Sequence, residues 1–160
     1  MNIAFFLHPK ADVAYLYDDF TIRQALEKMS HHSYSAIPVL SRDGKYVGTI
    51  SEGDLLWYIV RGENKERQEE NIHASTLLQV NIEDLERVRI SELDISPARN
   101  PAVLITDSIE ELLLRAMNQN FIPVTDDRGQ FNGIVTRRDV IKHFYDATLF
   151  AKDEEFELSK

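Results

Sequence analysis

The 160-residue sequence has no cysteine, which excludes disulfides and thiolate-bound metals and fits a reducing compartment. It also lacks any apolar run near the roughly 18–20 residues that a membrane-spanning helix needs. The opening MNIAFFLHPK has no basic start and an apolar stretch of only five residues, so no secretory signal is expected and a cytoplasmic location is. Basic residues are scarce: 18 Lys and Arg stand against 27 Asp and Glu, a formal net charge of −9. Nucleic-acid binders present a basic face, so neither DNA nor RNA is an expected partner. A chain this acidic that binds an anion must gather its few cations locally, which makes their positions informative.

The 43% apolar and 28% charged content is that of a globular protein, and the length suits one compact domain or two small lobes. The order of the residues says more. GTISEGDLL (48–56) and GIVTRRDVI (133–141) are one phrase written twice: glycine, a hydroxyl residue three positions on, then aspartate and two aliphatics. At the same offset IPVLSRDGKYVG (37–48) matches IPVTDDRGQFNG (122–133), and FTIRQALEKM resembles DSIEELLLRAM upstream. Both upstream segments carry helical spacing, Ile22, Ala25, Leu26 and Met29 in one and Ile109, Leu112, Leu113 and Ala116 in the other. Thr21 suits the N-cap of the first helix, and Asp107 or Ser108 that of the second.

Each copy therefore reads β-α-β-β-α. The strands are VAYLY (13–17) or AVLIT (102–106), AIPVL or FIPVT, and YVGTI or FNGIV; the closing helices begin at GDLLWYIV and RDVIKHFY. An α/β unit this small exposes one sheet face, and two copies can cover those faces mutually, so the expected fold class is α/β with a pseudo-twofold intramolecular pair. The expected divisions are unit 1 over 1–60, a charged linker over 61–87, unit 2 over 88–146 and an acidic, fraying tail over 147–160. RGENKERQEENIHAS (61–75) has no apolar period and reads as a surface loop or helix extension, while VRISEL is expected to enter the second unit as a short helix.

Ser51 with Asp54, and Thr136 with Asp139, stand three residues apart where a strand gives way to a helix. One reading is a reciprocal cap, the hydroxyl accepting from an early helix N–H and the acid reaching back. The other is an anion site, since a helix N-terminus presents free N–H groups and partial positive charge. Arg137 and Arg138 flank the second of these termini, and a guanidinium fork matches phosphate oxygens. The first copy has Glu52 and Gly53 there, and a carboxylate repels phosphate, so the second copy is the expected phosphate holder. LLWYIV (55–60), with Trp57, is apolar around most of its circumference and points to self-association as a homodimer. His8, His31, His32, His73 and His143 show no ligand spacing, so no metal site is expected. No activated nucleophile, acid–base pair or P-loop argues for an enzyme.

The doubled pattern of IPV, turn and G-h-h-(S/T)-x-x-D resembles a tandem pair of cystathionine-β-synthase (CBS) domains, a Bateman module, over roughly residues 8–60 and 88–146. HPKADVAYLY, SAIPVL and GIVTRRDVI are also similar to the stand-alone CBS-pair proteins of Gram-positive bacteria, some of which are cyclic di-AMP receptors. The resemblance implies a regulatory adenine-nucleotide module with clefts between its units and no required cofactor, signalling to an unidentified separate protein. It implies that Ser51, Asp54, Thr136 and Asp139 serve phosphate and ribose, and that the base sits among Ala14, Tyr15, Tyr34, Ala36 and Pro38 on one side and Val103, Phe121 and Pro123 on the other. Aspartate in both phrases favours the free diol of AMP, ADP or ATP; the narrower likeness and the arginine pair favour cyclic di-AMP. A ligand-independent dimerisation scaffold is the alternative, with a nucleotide-acting enzyme behind it.

Overall fold

A computed structural model describes residues 1–61 and 82–158. The chain forms two compact units, Ala14–Arg99 (the first unit) and Met1–Val13 with Asn100–Lys160 (the second). This is not the expected division at residue 60. The segment ahead of each repeat packs against the body of the other repeat, so residues 1–13 belong with 100–160 and residues 88–99 with the first copy.

In the first unit, β2 (Leu16–Tyr17) lies parallel to β3 (Ala36–Leu40), which pairs antiparallel with β4 (Tyr46–Ser51). Helix α1 (Ile22–His32) separates β2 from β3, and α2 (Glu52–Arg61) follows β4. Thr21 caps α1 as its spacing predicts: its hydroxyl accepts from the Gln24 N–H at 3.2 Å and Gln24 Oε1 accepts from the Thr21 N–H at 2.8 Å. Ile22, Ala25 and Met29 of α1 are buried against Ile37, Val39 and Ile50. β3, the central strand, is buried from Ile37 to Leu40, which is why IPVL reads as an unbroken apolar run. The turn to β4 needs Gly44, whose φ is 86°.

Two expectations fail here. VRISEL does not enter the second unit: Val88 and Ile90 are buried with Leu16 and Ile22, and Ile90–Glu92 is a 3-10 turn of the first unit. Part of the supposed linker, α3 (Ile82–Arg87), is a helix whose Leu85 packs on this core and whose Glu86 pairs with Arg23 of α1. Sparse, uneven aliphatics hid both, because their partners come from the other repeat. The loop-or-helix reading of 61–75 falls, beyond the end of α2, outside the described residues.

The second unit repeats the plan and adds a strand. β5 (Val103–Leu104) is parallel to β6 (Phe121–Thr125), β6 is antiparallel to β7 (Phe131–Thr136), and β1 (His8–Pro9) closes the far edge against β7. Buried and half-buried residues alternate along β7, the period-two signature of a sheet with one covered face. Helix α4 (Ile109–Ala116) is capped by Ser108, whose Oγ accepts from the Glu111 N–H at 3.2 Å. The alternative cap, Asp107, instead accepts the Leu104 N–H at 2.8 Å. Ile3 and Phe6, from the chain's start, complete this core with Val103, Leu112, Ile122, Val124 and Val135. Helix α5 runs from Arg137 to Leu158, so the acidic tail expected to fray is helical through Leu158.

Candidate functional site

In the first unit, Ser51 ends β4 and Asp54 lies in the first turn of α2. The Ser51 N–H donates to Asp54 Oδ2 at 2.9 Å and the Asp54 N–H donates to Ser51 Oγ at 3.1 Å, the reciprocal cap anticipated for this spacing. The other carboxylate oxygen, Oδ1, accepts from Arg99 Nη2 at 2.6 Å. Burial alone pushes the Asp54 carboxyl up, but the Arg99 guanidinium and the Ser51 bonds outweigh it and hold the group below its usual range.

In the second unit, the Asp139 N–H donates to Thr136 Oγ1 at 3.2 Å, and the Thr136 hydroxyl donates to Asp139 Oδ2 at 2.7 Å. The same Oδ2 meets His8 Nε2. That His8 contact, helped by Thr136 and by the charge of Arg138, holds the Asp139 carboxyl below its usual range against the opposing effect of burial. Both carboxylates are therefore ionised above pH 4 or so and both already face a cationic side chain or imidazole.

The two arginines do different work. Arg137 is half-buried and turned back: its Nε donates to the Ala116 carbonyl at 2.7 Å and its Nη1 to Asn120 Oδ1 at 3.1 Å. It ties the start of α5 to the end of α4. Arg138 is exposed beside Asp139 and has no hydrogen bond or ion pair among the described residues. Of the pair, Arg138 is the guanidinium available to an anion. In the first unit a Cβ at Gly53 would meet only Ser51 Oγ, at 3.6 Å, so that helix start is uncrowded.

Ala36 pairs directly with Ser51 across β3–β4, and Phe121 with Thr136 across β6–β7. These expected base contacts thus stand beside the hydroxyl residues. Ala14 and Tyr15 lead into β2, whose Leu16 lies opposite Val39. The Tyr15 ring meets Tyr17 edge-on at 5.6 Å between centroids, with Lys28 Nζ 5.3 Å above its face. A bond with the Tyr17 hydroxyl, with some burial, holds the Tyr15 phenol above its ordinary range. Tyr34 is exposed and stacks on His32 at 5.5 Å. Pro38, Pro123 and Val103 are buried, Val103 within the core of its unit.

His8 and Arg99, which complete the carboxylate pairs, were not singled out by pattern. A faint signal existed: each follows the same exchange, one next to Pro9 and the other two residues after Pro97, in the short segments ahead of the repeats. Among the described residues no group of three or more His, Cys, Asp or Glu could hold a metal, and no described helix is long and apolar enough to cross a membrane.

The model of the CBS domain matches residues 7–61 and 90–146. An uncharacterised protein of Methanocaldococcus jannaschii, MJ1426, is 28% identical over 142 residues, 79% of this chain and 83% of that protein. The crystal structure of CbpB in complex with c-di-AMP superposes with a TM-score of 0.76 at 20% identity, over 96% of this chain and 91% of that one. The CbpB of Listeria monocytogenes, also in complex with c-di-AMP, gives 0.74 at 23% identity, over 92% and 98%.

Proposed function

Because this chain belongs to the CBS-domain family and carries the domain twice, we propose that it is a regulatory module that binds an adenine nucleotide and reports on it to a separate protein. The observation that carries the reading is the strand-to-helix junction built twice from a hydroxyl residue and an ionised aspartate, with one uncommitted guanidinium, Arg138, beside the second. A phosphate at α5 would meet helix N–H groups, the Thr136 hydroxyl and Arg138, and a carboxylate can accept from ribose hydroxyls. Cyclic di-AMP is favoured over AMP, ADP and ATP: the fold neighbours include CbpB in complex with that ligand, and Arg138 suits its phosphates. The two aspartates would suit a free diol, so the mononucleotides are the ligands to compare.

Titration calorimetry with cyclic di-AMP, AMP and ATP tests this. Binding at micromolar concentration, lost in Arg138→Ala, is expected; no heat from any of the three up to millimolar concentration sinks it. A ligand 100-fold above its Kd should also stabilise the fold by about 2.7 kcal/mol. The second reading, a ligand-independent dimerisation scaffold, is favoured by one observation: the Ser51–Asp54 and Thr136–Asp139 pairs already work as helix caps. It expects no thermal shift with any nucleotide.

A further inference from the structure

Gln119 of the second unit is polar, only 6% exposed and part of neither helix cap. It stands between α4 and β6, where its backbone N–H donates to the Arg115 carbonyl at 3.0 Å. Its side-chain Nε2 donates to the Pro101 carbonyl at 3.0 Å and lies 3.5 Å from the Phe121 carbonyl. A carbonyl can only accept, so the NH2 end of the amide must face both and the oxygen must face away. That oxygen, Oε1, has no hydrogen-bond partner among the described residues. Nor is it sealed in: among the described residues Arg115 Nε is the one fully enclosed side-chain nitrogen or oxygen that lacks a partner. Gln119 therefore holds a hydrogen-bond acceptor at an opening while its donor end is already taken.

The amide sits among the residues expected to meet a base. Pro101 leads into β5 two residues ahead of Val103, and Phe121 begins β6 opposite Thr136. In repeat register Gln119 matches Tyr34, the base contact expected in the first copy. Arg137 braces the same loop through the Ala116 carbonyl and Asn120 Oδ1. We propose that Gln119 selects the base in the second unit, its Oε1 accepting from the exocyclic amine of a 6-aminopurine and rejecting a 6-oxopurine. This rests on the nucleotide reading and names the group that enforces the choice of base. A 6-oxo group brings a second acceptor against Oε1, and neither oxygen can satisfy the other. Turning the amide over gives no relief, because Oε1 would then meet the Pro101 carbonyl. The two backbone carbonyls that lock the amide thus set the preference, and an apolar side chain of the same length would have none.

Titration calorimetry of the full chain with cyclic di-AMP against cyclic di-IMP, and with AMP against IMP, tests this, each pair differing in the 6-amino or 6-oxo form of the base. The wild type is expected to prefer the amino member of whichever pair binds by roughly tenfold or more. Gln119→Met keeps the length of the side chain and removes the acceptor. It should weaken the amino member by roughly tenfold, leave the oxo member within about threefold, and so bring the two near equality. A wild type that binds both members of a pair within about threefold overturns the proposal without any variant. A preference left intact in Gln119→Met overturns it as well, and equal losses of both members would assign Gln119 to the frame alone and overturn it too. A wild type that binds none of the four compounds is a different result: it sinks the nucleotide reading itself, and this inference with it.

Discussion

The two units write the same phrase and close it differently. In the first, the partner of the cap carboxylate is Arg99, which ends the 3-10 turn Pro97–Arg99 and carries a permanent charge. In the second it is His8, which is locked into the sheet: β1 pairs with β7, His8 opposite Ile134 and Pro9 opposite Gly133. The first closure comes from a 3-10 turn rather than a strand and is fixed in charge. The second is fixed in backbone and switchable in charge, because the contact is an ion pair only while the imidazole is protonated. A repeat conserves the place where a group is needed, and the exchanged segments decide which group arrives.

The sharpest way to break this contrast is at the paired glycines. Gly48 and Gly133 hold φ of 152° and 150°, so alanine is strained at both. A Cβ at Gly133 would lie 2.0 Å from the His8 carbonyl oxygen, whereas at Gly48 the nearest atom is the Ser96 carbonyl carbon at 3.5 Å. Gly48→Ala should cost about 1–2 kcal/mol, the left-handed penalty alone. Gly133→Ala should exceed about 4 kcal/mol, because β1 must leave the sheet. Urea unfolding reads both, and equal losses would show that β1 does not press on β7 as described.

The fold was legible where the repeat is self-contained. The helix spacing at Ile22–Met29, the Thr21 cap and the buried IPV strands follow from local pattern, and the structure has each in place. What could not be read is exchange between repeats. Nothing local to Val88, Ile90, Ile3 or Phe6 says that their cavity is built by the other copy, and nothing local to His8 or Arg99 names Asp139 or Asp54 as partner. The Arg137–Arg138 pair was half legible: its site is where the pattern put it, but only the fold shows that Arg137 is used up on Ala116 and Asn120.

A middle-sized effect concerns what the units share. Ser51→Ala and Thr136→Ala each remove a helix cap and should cost about 1 kcal/mol. Near-equal values from thermal unfolding would place the caps on the common frame, and a difference above 1 kcal/mol would show that one unit depends on its cap for more than the helix end.

The smallest effects, at the ion pairs, sharpen the contrast most. Both carboxyls lie below their usual range in the folded chain, so the unfolded chain takes up protons first as pH falls. Each contributes stability that is present above the unfolded value of about 4 and is lost as pH drops through the lowered folded value. The advantage of the wild type over Asp54→Asn and Asp139→Asn should therefore shrink below about pH 4; constancy down to pH 3 would deny the shifts. Because these pairs are partly solvated, Arg99→Ala should cost no more than about 1 kcal/mol. Its cost should be the same at pH 6 and pH 8.5, since the guanidinium keeps its proton throughout. His8→Ala should likewise cost no more than about 1 kcal/mol, because Asp139 keeps its Thr136 bonds. A loss from either variant well above that, read by urea unfolding, would show that its pair does more than close a partly solvated cap.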